Sequence, residues 1–246
     1  MRQPGNALTL TLLKLKRFLR RQLHRFGFDI ARYRSRPVYP EEANRFVYQK
    51  RFNQFDIAPG SVVLDIGSGH YPFLLATILV DLYAKDSPHR TQELIRDERP
   101  FLVVDIGHLP FRDKSVGFVY CSHVLEHVED PKQACSELIR VGHRGYIETP
   151  NFASDLLFGW GAYINHKWNV MTMNNTLYFF EYTDRQRRGL DSLVWDNLIH
   201  GRAYHPMQEA YFKNQDLFNT MFPWKDRFEC VVHKLPRKTS DAGEQA

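Results

Sequence analysis

The chain has 246 residues, 43% of them hydrophobic and 14% aromatic, and a net charge of +5, which gives one large domain or two small ones a real core. No apolar run reaches the roughly 20 residues that span a bilayer, and no secretory apolar region with a cleavage site is visible. Cys121, Cys135 and Cys230 have no paired spacing, which suits a reducing compartment and argues against a cysteine-based zinc site.

The charge is uneven. Residues 1–36 hold ten Lys and Arg against one acid, Asp29, so this arm carries +9 and the rest of the chain −4. A nucleic-acid face spread over the globular part is therefore disfavoured. In the arm, Leu8, Leu12, Leu15, Leu19, Leu23 and Phe26 follow one helical stripe, and Lys14, Arg17, Arg21 and Arg25 follow another. A basic amphipathic helix of this kind suits an anionic membrane surface, and packing on its own domain or on a partner chain is the other reading. Gly27 is its expected stop.

A linker is expected from Arg36-Pro37 to Tyr39-Pro40, then a helix over about 41–55 with Glu41 and Glu42 favourable in its first turn. Pro59-Gly60 turns the chain into a strand at 62–66. Ile78-Leu79-Val80 reads as a second strand ending at Asp81, which leaves room for only a very short first helix. A continuous helix over 72–83 is the competing reading. Ser87-Pro88 opens an expected helix to about Glu98. Strands follow at Phe101–Val104 and Val116–Cys121, with a helix at 131–141 capped by Asp130-Pro131. A strand at Gly145–Thr149 is stopped by Pro150.

Alternating strands and helices predict an α/β fold with a doubly wound, mostly parallel sheet, whose ligands bind at the C-terminal strand ends. Asp65, Gly67, Gly69, Asp105, Ser122 and His123 all fall at such ends. Beyond 150 the pattern changes. Trp168–Met173 and Leu177–Tyr182 flank Asn174-Asn175 as a C-terminal antiparallel hairpin. Residues 190–222 are aromatic and poorly periodic, Phe228–Lys234 is a last strand, and 236–246 is a polar tail expected to be disordered. The domain reading is an arm at 1–36, a domain at 37–235 with an aromatic cap at about 151–222, and the tail.

The strand-end series Val63-Leu64-Asp65-Ile66-Gly67-Ser68-Gly69, then Asp105-Ile106-Gly107-His108-Leu109-Pro110-Phe111, then Phe118 to His127 resembles the class I S-adenosylmethionine-dependent methyltransferases, in particular the small bacterial type 11-like kind. The resemblance covers roughly 60–150. It implies a Rossmann-like fold, methyltransferase activity and S-adenosylmethionine as cofactor. It also implies that Asp65 and the backbone around Gly67, Ser68 and Gly69 approach the amino-acid end, that Asp81 takes the ribose hydroxyls, and that Asp105 and Ile106 grip the adenine. Ser122 and His123 are expected near the sulfonium. Tyr71 followed by Pro72 stands where the family has a third loop glycine, so the loop departs from the standard one.

Methyl transfer needs acceptor and methyl held in line, and a weakly acidic hydroxyl also needs a base. His123 is the first candidate, His166 the second, and Glu148, just before Pro150, the third. Trp160, Tyr163, Trp168, Phe179 and Phe180 are candidates to line the acceptor pocket or to fill the core. The expected activity is O-methylation of a small or lipid-linked hydroxyl compound, for instance a saccharide, by a cytoplasmic protein peripheral at the inner membrane face. A membrane- or partner-tethered scaffold without catalysis is the alternative. Residues His123, Glu126 and His127 also spell H-x-x-E-H, a zinc-hydrolase spacing. That motif needs a sustained helix, which Pro131 forbids, so no metal is expected.

Overall fold

The structure, a computed structural model, describes residues 7–28, 45–85, 93–158, 165–189 and 206–236. The linker, Glu41, Glu42, the start of the expected helix at Ser87 and the tail from 237 lie outside these. The chain forms two compact units, Met1–Pro37 and Val38–Ala246. In the first, helix α1 (Ala7–Arg25) ends as expected: Gly27 has φ +75° and its N–H donates to the His24 carbonyl. No helix among the described residues is long and apolar enough to cross a membrane.

In the second unit the elements run α2 (Arg45–Phe52), β1 (Val63–Ile66), β2 (Ile78–Asp81), β3 (Phe101–Val103), β4 (Phe118–Ser122), α3 (Pro131–Val141), β5 (Arg144–Pro150) and α4 (Phe152–Phe158). Then come β6 (Trp168–Met173), β7 (Thr176–Glu181), α5 (Asp184–Gly189), α6 (Pro206–Lys213), α7 (Gln215–Phe218), β8 (Asn219–Lys225) and β9 (Glu229–His233).

The main sheet has the order β3-β2-β1-β4-β5-β8, parallel through β5. Chain order reverses direction at the β1–β4 boundary, the crevice where doubly wound sheets take ligands. β1 and β4 are buried throughout, as expected of strands covered on both faces. Alternate residues divide the core. Leu64, Ile66, Val119 and Cys121 pack with α3 and with β6 and β7, whereas Val63, Phe118 and Tyr120 pack with Phe73, with Phe46 of α2 and with Phe55 just after that helix. Phe73 stacks on Tyr120 with centroids 4.1 Å apart and planes 3° apart. Asp130 caps α3 by accepting from Gln133 N–H, with Pro131 in the first turn.

Several expectations change in detail. Between β1 and β2 there is no helix, so the continuous helix over 72–83 is excluded. Thr77 instead ties the turn, its Oγ1 accepting from Val63 N–H at 2.9 Å. Residues 93–98 are not helical either, against the helix expected to reach Glu98. There the backbone is held from outside, Ile95 N–H donating to the Gly69 carbonyl, and just beyond it the Arg99 side chain donates from Nη1 to the Phe73 carbonyl at 2.8 Å. Val116 makes only an isolated bridge to Gly142, and its strand begins at Phe118.

The hairpin forms with Asn174 at φ +56°, and β9 adds to it in parallel beside β7 as a separate three-stranded sheet. β8 emerges from the segment read as aperiodic. It carries Pro223 and runs antiparallel at the edge of the main sheet, where a residue without an N–H costs no ladder bond on its outer side.

Candidate functional site

At the β1 and β2 ends, sequence and geometry agree on the loop but not on its use. Gly67 has φ +72°, and a Cβ there would lie 2.3 Å from Val124 Cγ2, so only glycine fits. The amides expected to reach a ligand serve the loop itself. Gly67 and Ser68 N–H both donate to the Val80 carbonyl at 2.7 and 3.0 Å, and Gly69 N–H donates to Asp81 Oδ2 at 3.0 Å. Asp81 also accepts from Tyr83 N–H at 2.9 Å, so its carboxylate closes two turns. The physical reason is the missing helix after β1: the loop folds back over β2 and takes its partners there.

Asp65 is 1% exposed and accepts from Phe73 N–H at 2.8 Å, which ties Phe73 into the core under the loop. Burial pushes its carboxyl up to about 7, against that N–H, Arg45 and Arg99, which pull it down. Ile106 is buried in the core. Asp105 is exposed, with Oδ1 accepting from Gly107 N–H at 2.7 Å.

The β4 and β5 ends hold a buried ionisable network. Glu148, fully buried, accepts from Tyr48 Oη at 2.6 Å, from Gln49 Nε2 at 3.0 Å and from Tyr146 Oη. His123 sits at φ +57°, its N–H donating to the Glu148 carbonyl at 2.8 Å. Its ring lies between two carboxylates, Nε2 at 3.3 Å from Glu148 Oε1 and Nδ1 at 3.6 Å from Glu126 Oε1. Burial and Arg45 push the His123 pKa down, but Glu126 and Glu148 outweigh them and hold it above the ordinary value. Burial pushes Glu148 up, yet His123 and Arg45 hold it below the usual carboxylate range.

His166, the second base candidate, is 8% exposed. Its Nδ1 lies 3.0 Å from Asp155 Oδ1, whose other oxygen accepts from Tyr182 Oη at 2.9 Å. His166 packs edge-on against His127, with centroids 4.8 Å apart.

The structure thus gathers His123, Glu148 and His166 on one side of the crevice, joined through Glu126 and His127. Sequence reading did not find Tyr48, Gln49, Tyr146, Asp155 or Arg45. Arg45 lies over the Tyr71 ring at 5.5 Å, in the field of Glu148 and Asp65. These residues come from elements far apart in the chain and carry no spacing signal. The aromatic candidates divide: Trp168 and Phe179 are core, Phe180 is half-exposed, and Trp160 and Tyr163 lie outside the described residues. The H-x-x-E-H segment is a turn, not a helix, as its proline requires. Beyond the β5 end a cavity of about 620 Å³ is lined by Phe52, Asn151, Phe152, Asn169, Asn219 and Thr220, among others.

Residues 64–147 match a family model described as a methyltransferase domain. The parallel order 3-2-1-4-5, the glycine loop and the strand-end acids agree with it, and residues 64–147 form a methyltransferase domain of the class I kind, which takes S-adenosylmethionine as cofactor. A search of curated proteins finds no match.

Among solved structures, a methyltransferase from Archaeoglobus fulgidus is 25% identical over 44% of this chain and 53% of its own, with a TM-score of 0.32. A protein from Anabaena variabilis described as a methyltransferase of an antibiotic biosynthesis pathway is 17% identical over 49% and 51%, with a TM-score of 0.38. The Haloferax volcanii complex that contains the Trm112 methyltransferase activator gives 21% over 44% and 51%, with a TM-score of 0.33. The chain spans about half the length of these structures.

The residues present fit the cofactor. Ser68 Oγ and Ser122 Oγ, at adjacent strand ends, are buried with no hydrogen-bond partner within 3.5 Å among the described residues, and the glycine at 67 lets the backbone pass where a side chain would clash. Exposed Asp105 and the exposed apolar Tyr71, Leu82, Tyr83 and Val103 stand around the same β1–β3 ends.

Proposed function

We propose that the chain transfers a methyl group from S-adenosylmethionine to a hydroxyl oxygen of a small or lipid-linked acceptor, with His123 as the base. The observation that supports this most is His123 itself. It stands at the end of β4, its side chain 27% exposed, with a buried carboxylate at each ring nitrogen. Those carboxylates raise the proton affinity of the ring; in its neutral form, with Nε2–H held by Glu148, the ring takes the hydroxyl proton on Nδ1. Bound S-adenosylmethionine supplies a methyl made electrophilic by the sulfonium, and in-line attack then needs positioning more than covalent chemistry.

Glu148 has no surface with which to meet an acceptor. It is a positioning residue that holds Nε2 of His123 and, through Tyr48 and Gln49, fastens α2 to the sheet. In this reading Asp105 and Ile106 bind the adenine, the end of β2 at Asp81 faces the ribose, and the Gly67–Gly69 loop meets the amino-acid end through the Ser68 hydroxyl, with Asp65 holding that loop from beneath through Phe73. Ser122 lies near the sulfonium.

The cavity beyond β5 supports a polyhydroxylated acceptor, because side-chain amides and hydroxyls beside the rings of Phe52 and Phe152 suit both the polar edges and the apolar faces of a sugar. The arm supports a lipid-linked one at an anionic cytoplasmic membrane face. On α1, Leu15, Phe18 and Leu19 are each more than half exposed, beside Lys14, Arg17 and Arg21.

Calorimetry with S-adenosylmethionine tests the cofactor part. Binding that weakens at least about tenfold in Asp105→Ala is expected, and no binding by the parent chain leaves a scaffold without catalysis. Flotation with anionic vesicles tests the arm: the full chain floats, and a chain starting at Pro37 does not. Equal flotation removes the membrane part of the reading.

A further inference from the structure

We propose that Glu126, His127 and His166 form a binding site for one divalent transition-metal ion of the zinc class. The ligand atoms of these three residues lie within 4.8 Å of one another. Glu126 is 1% exposed, and among the described residues no hydrogen-bond donor lies within 3.5 Å of either of its carboxylate oxygens. Its nearest polar neighbours are ring nitrogens, His123 Nδ1 at 3.6 Å and His127 Nε2 at 3.8 Å. A buried carboxylate left this way costs several kcal/mol unless a cation compensates it.

Both histidines are already oriented as ligands. His127 Nδ1 is 3.0 Å from the Asn165 carbonyl, which only accepts, so the proton sits on Nδ1 and the Nε2 lone pair points toward Glu126. His166 Nδ1 faces the Asp155 carboxylate at 3.0 Å, which fixes the same tautomer, and Tyr182 holds that carboxylate in turn. An outer carbonyl or carboxylate on the far ring nitrogen is the usual support of a metal-bound histidine.

Two imidazoles and one carboxylate favour Zn²⁺ or Co²⁺ over Mg²⁺ and Ca²⁺, which prefer all-oxygen sets. Tetrahedral ligands about 2.0–2.1 Å from an ion stand roughly 3.3 Å apart, so binding draws the three side chains together by up to about 1.5 Å. Three protein ligands leave a fourth position, and His127, 22% exposed at its side chain, gives solvent a way in. The site differs from the H-x-x-E-H zinc pattern: His123 turns between Glu126 and Glu148, and His166, 39 residues after His127, takes its place.

The test is titration of the untagged full chain, stripped with chelator, with ZnCl₂ alone and with MgCl₂ alone, followed by the absorption spectrum of the Co²⁺-loaded chain. One Zn²⁺ per chain is expected, with no heat from Mg²⁺, and Co²⁺ bands of a four- or five-coordinate N/O site. Glu126→Gln and His166→Ala are each expected to weaken Zn²⁺ binding at least tenfold, with His143→Ala, at an exposed position, unchanged. The parent chain's stoichiometry and Co²⁺ spectrum need no variant to fold. Absence of stoichiometric Zn²⁺ binding, or affinity unchanged in folded Glu126→Gln and His166→Ala, overturns the site and leaves Glu126 paired with an imidazolium. Calorimetry with S-adenosylhomocysteine in chelator reports on the cofactor site separately.

Discussion

Asp65 at the end of β1 and Glu148 near the end of β5 are both buried carboxylates of one parallel sheet, yet their proton affinities move in opposite directions. Asp65 accepts from the Phe73 backbone N–H, and burial wins, raising it to about 7. Glu148 receives Tyr48, Gln49, Tyr146 and His123, and the last of these with Arg45 outweighs burial. Depth alone therefore does not set the charge state; the supply of donors does. The β1 side is a rigid loop held by backbone geometry, and the β5 side is an ion network held by side chains.

Three predictions break or sharpen that contrast. Glu148→Gln removes the charge that faces His123 while keeping the shape. The expected loss is about 4 kcal/mol in chemical denaturation, as for a buried pair broken on one side. His123 should then titrate at lower pH by NMR. A loss under about 1 kcal/mol would make the two carboxylates equivalent. Gly67→Ala probes the loop side, where the forced Cβ at 2.3 Å from Val124 and the positive φ together should cost about 3 kcal/mol and displace the loop. Thermal melting and cofactor calorimetry read both effects.

Asp65→Asn tests the sign. Because the folded pKa of Asp65 is raised, its contribution is fully present below the unfolded value near 3.8 and is lost as pH rises through about 7. The wild-type chain should gain about 2 kcal/mol from this group between pH 7 and pH 5, and Asp65→Asn should lack that slope while keeping the Phe73 N–H bond. Melting curves across that range decide it, and identical slopes in both proteins would refute the assignment.

Much of the frame was legible because it depends on local rules. Asp130-Pro131 starts a helix whatever surrounds it, Asn174-Asn175 turns a hairpin, and Gly67 is needed where the backbone takes φ +72°. The strand ends that carry Asp81, Ser122 and His123 follow from apolar runs that close at polar residues. β8 was illegible because Pro223 reads as a breaker until an edge position is known. The helix expected up to Glu98 fails over 93–98, where the Ile95 N–H donates to the Gly69 carbonyl instead of to a helical partner.

The sequence by itself determined an alternating α/β chain, a methyl-donor motif series and a basic helical arm, since period, turn chemistry and charge are written locally. Only the tertiary structure decided that the loop amides bond inward, that Glu148 orients His123 from beneath, and that His166 meets Glu126 and His127. Those outcomes depend on burial and on partners from distant segments. A residue's proton affinity and its remaining hydrogen-bond capacity exist only once such neighbours are in place.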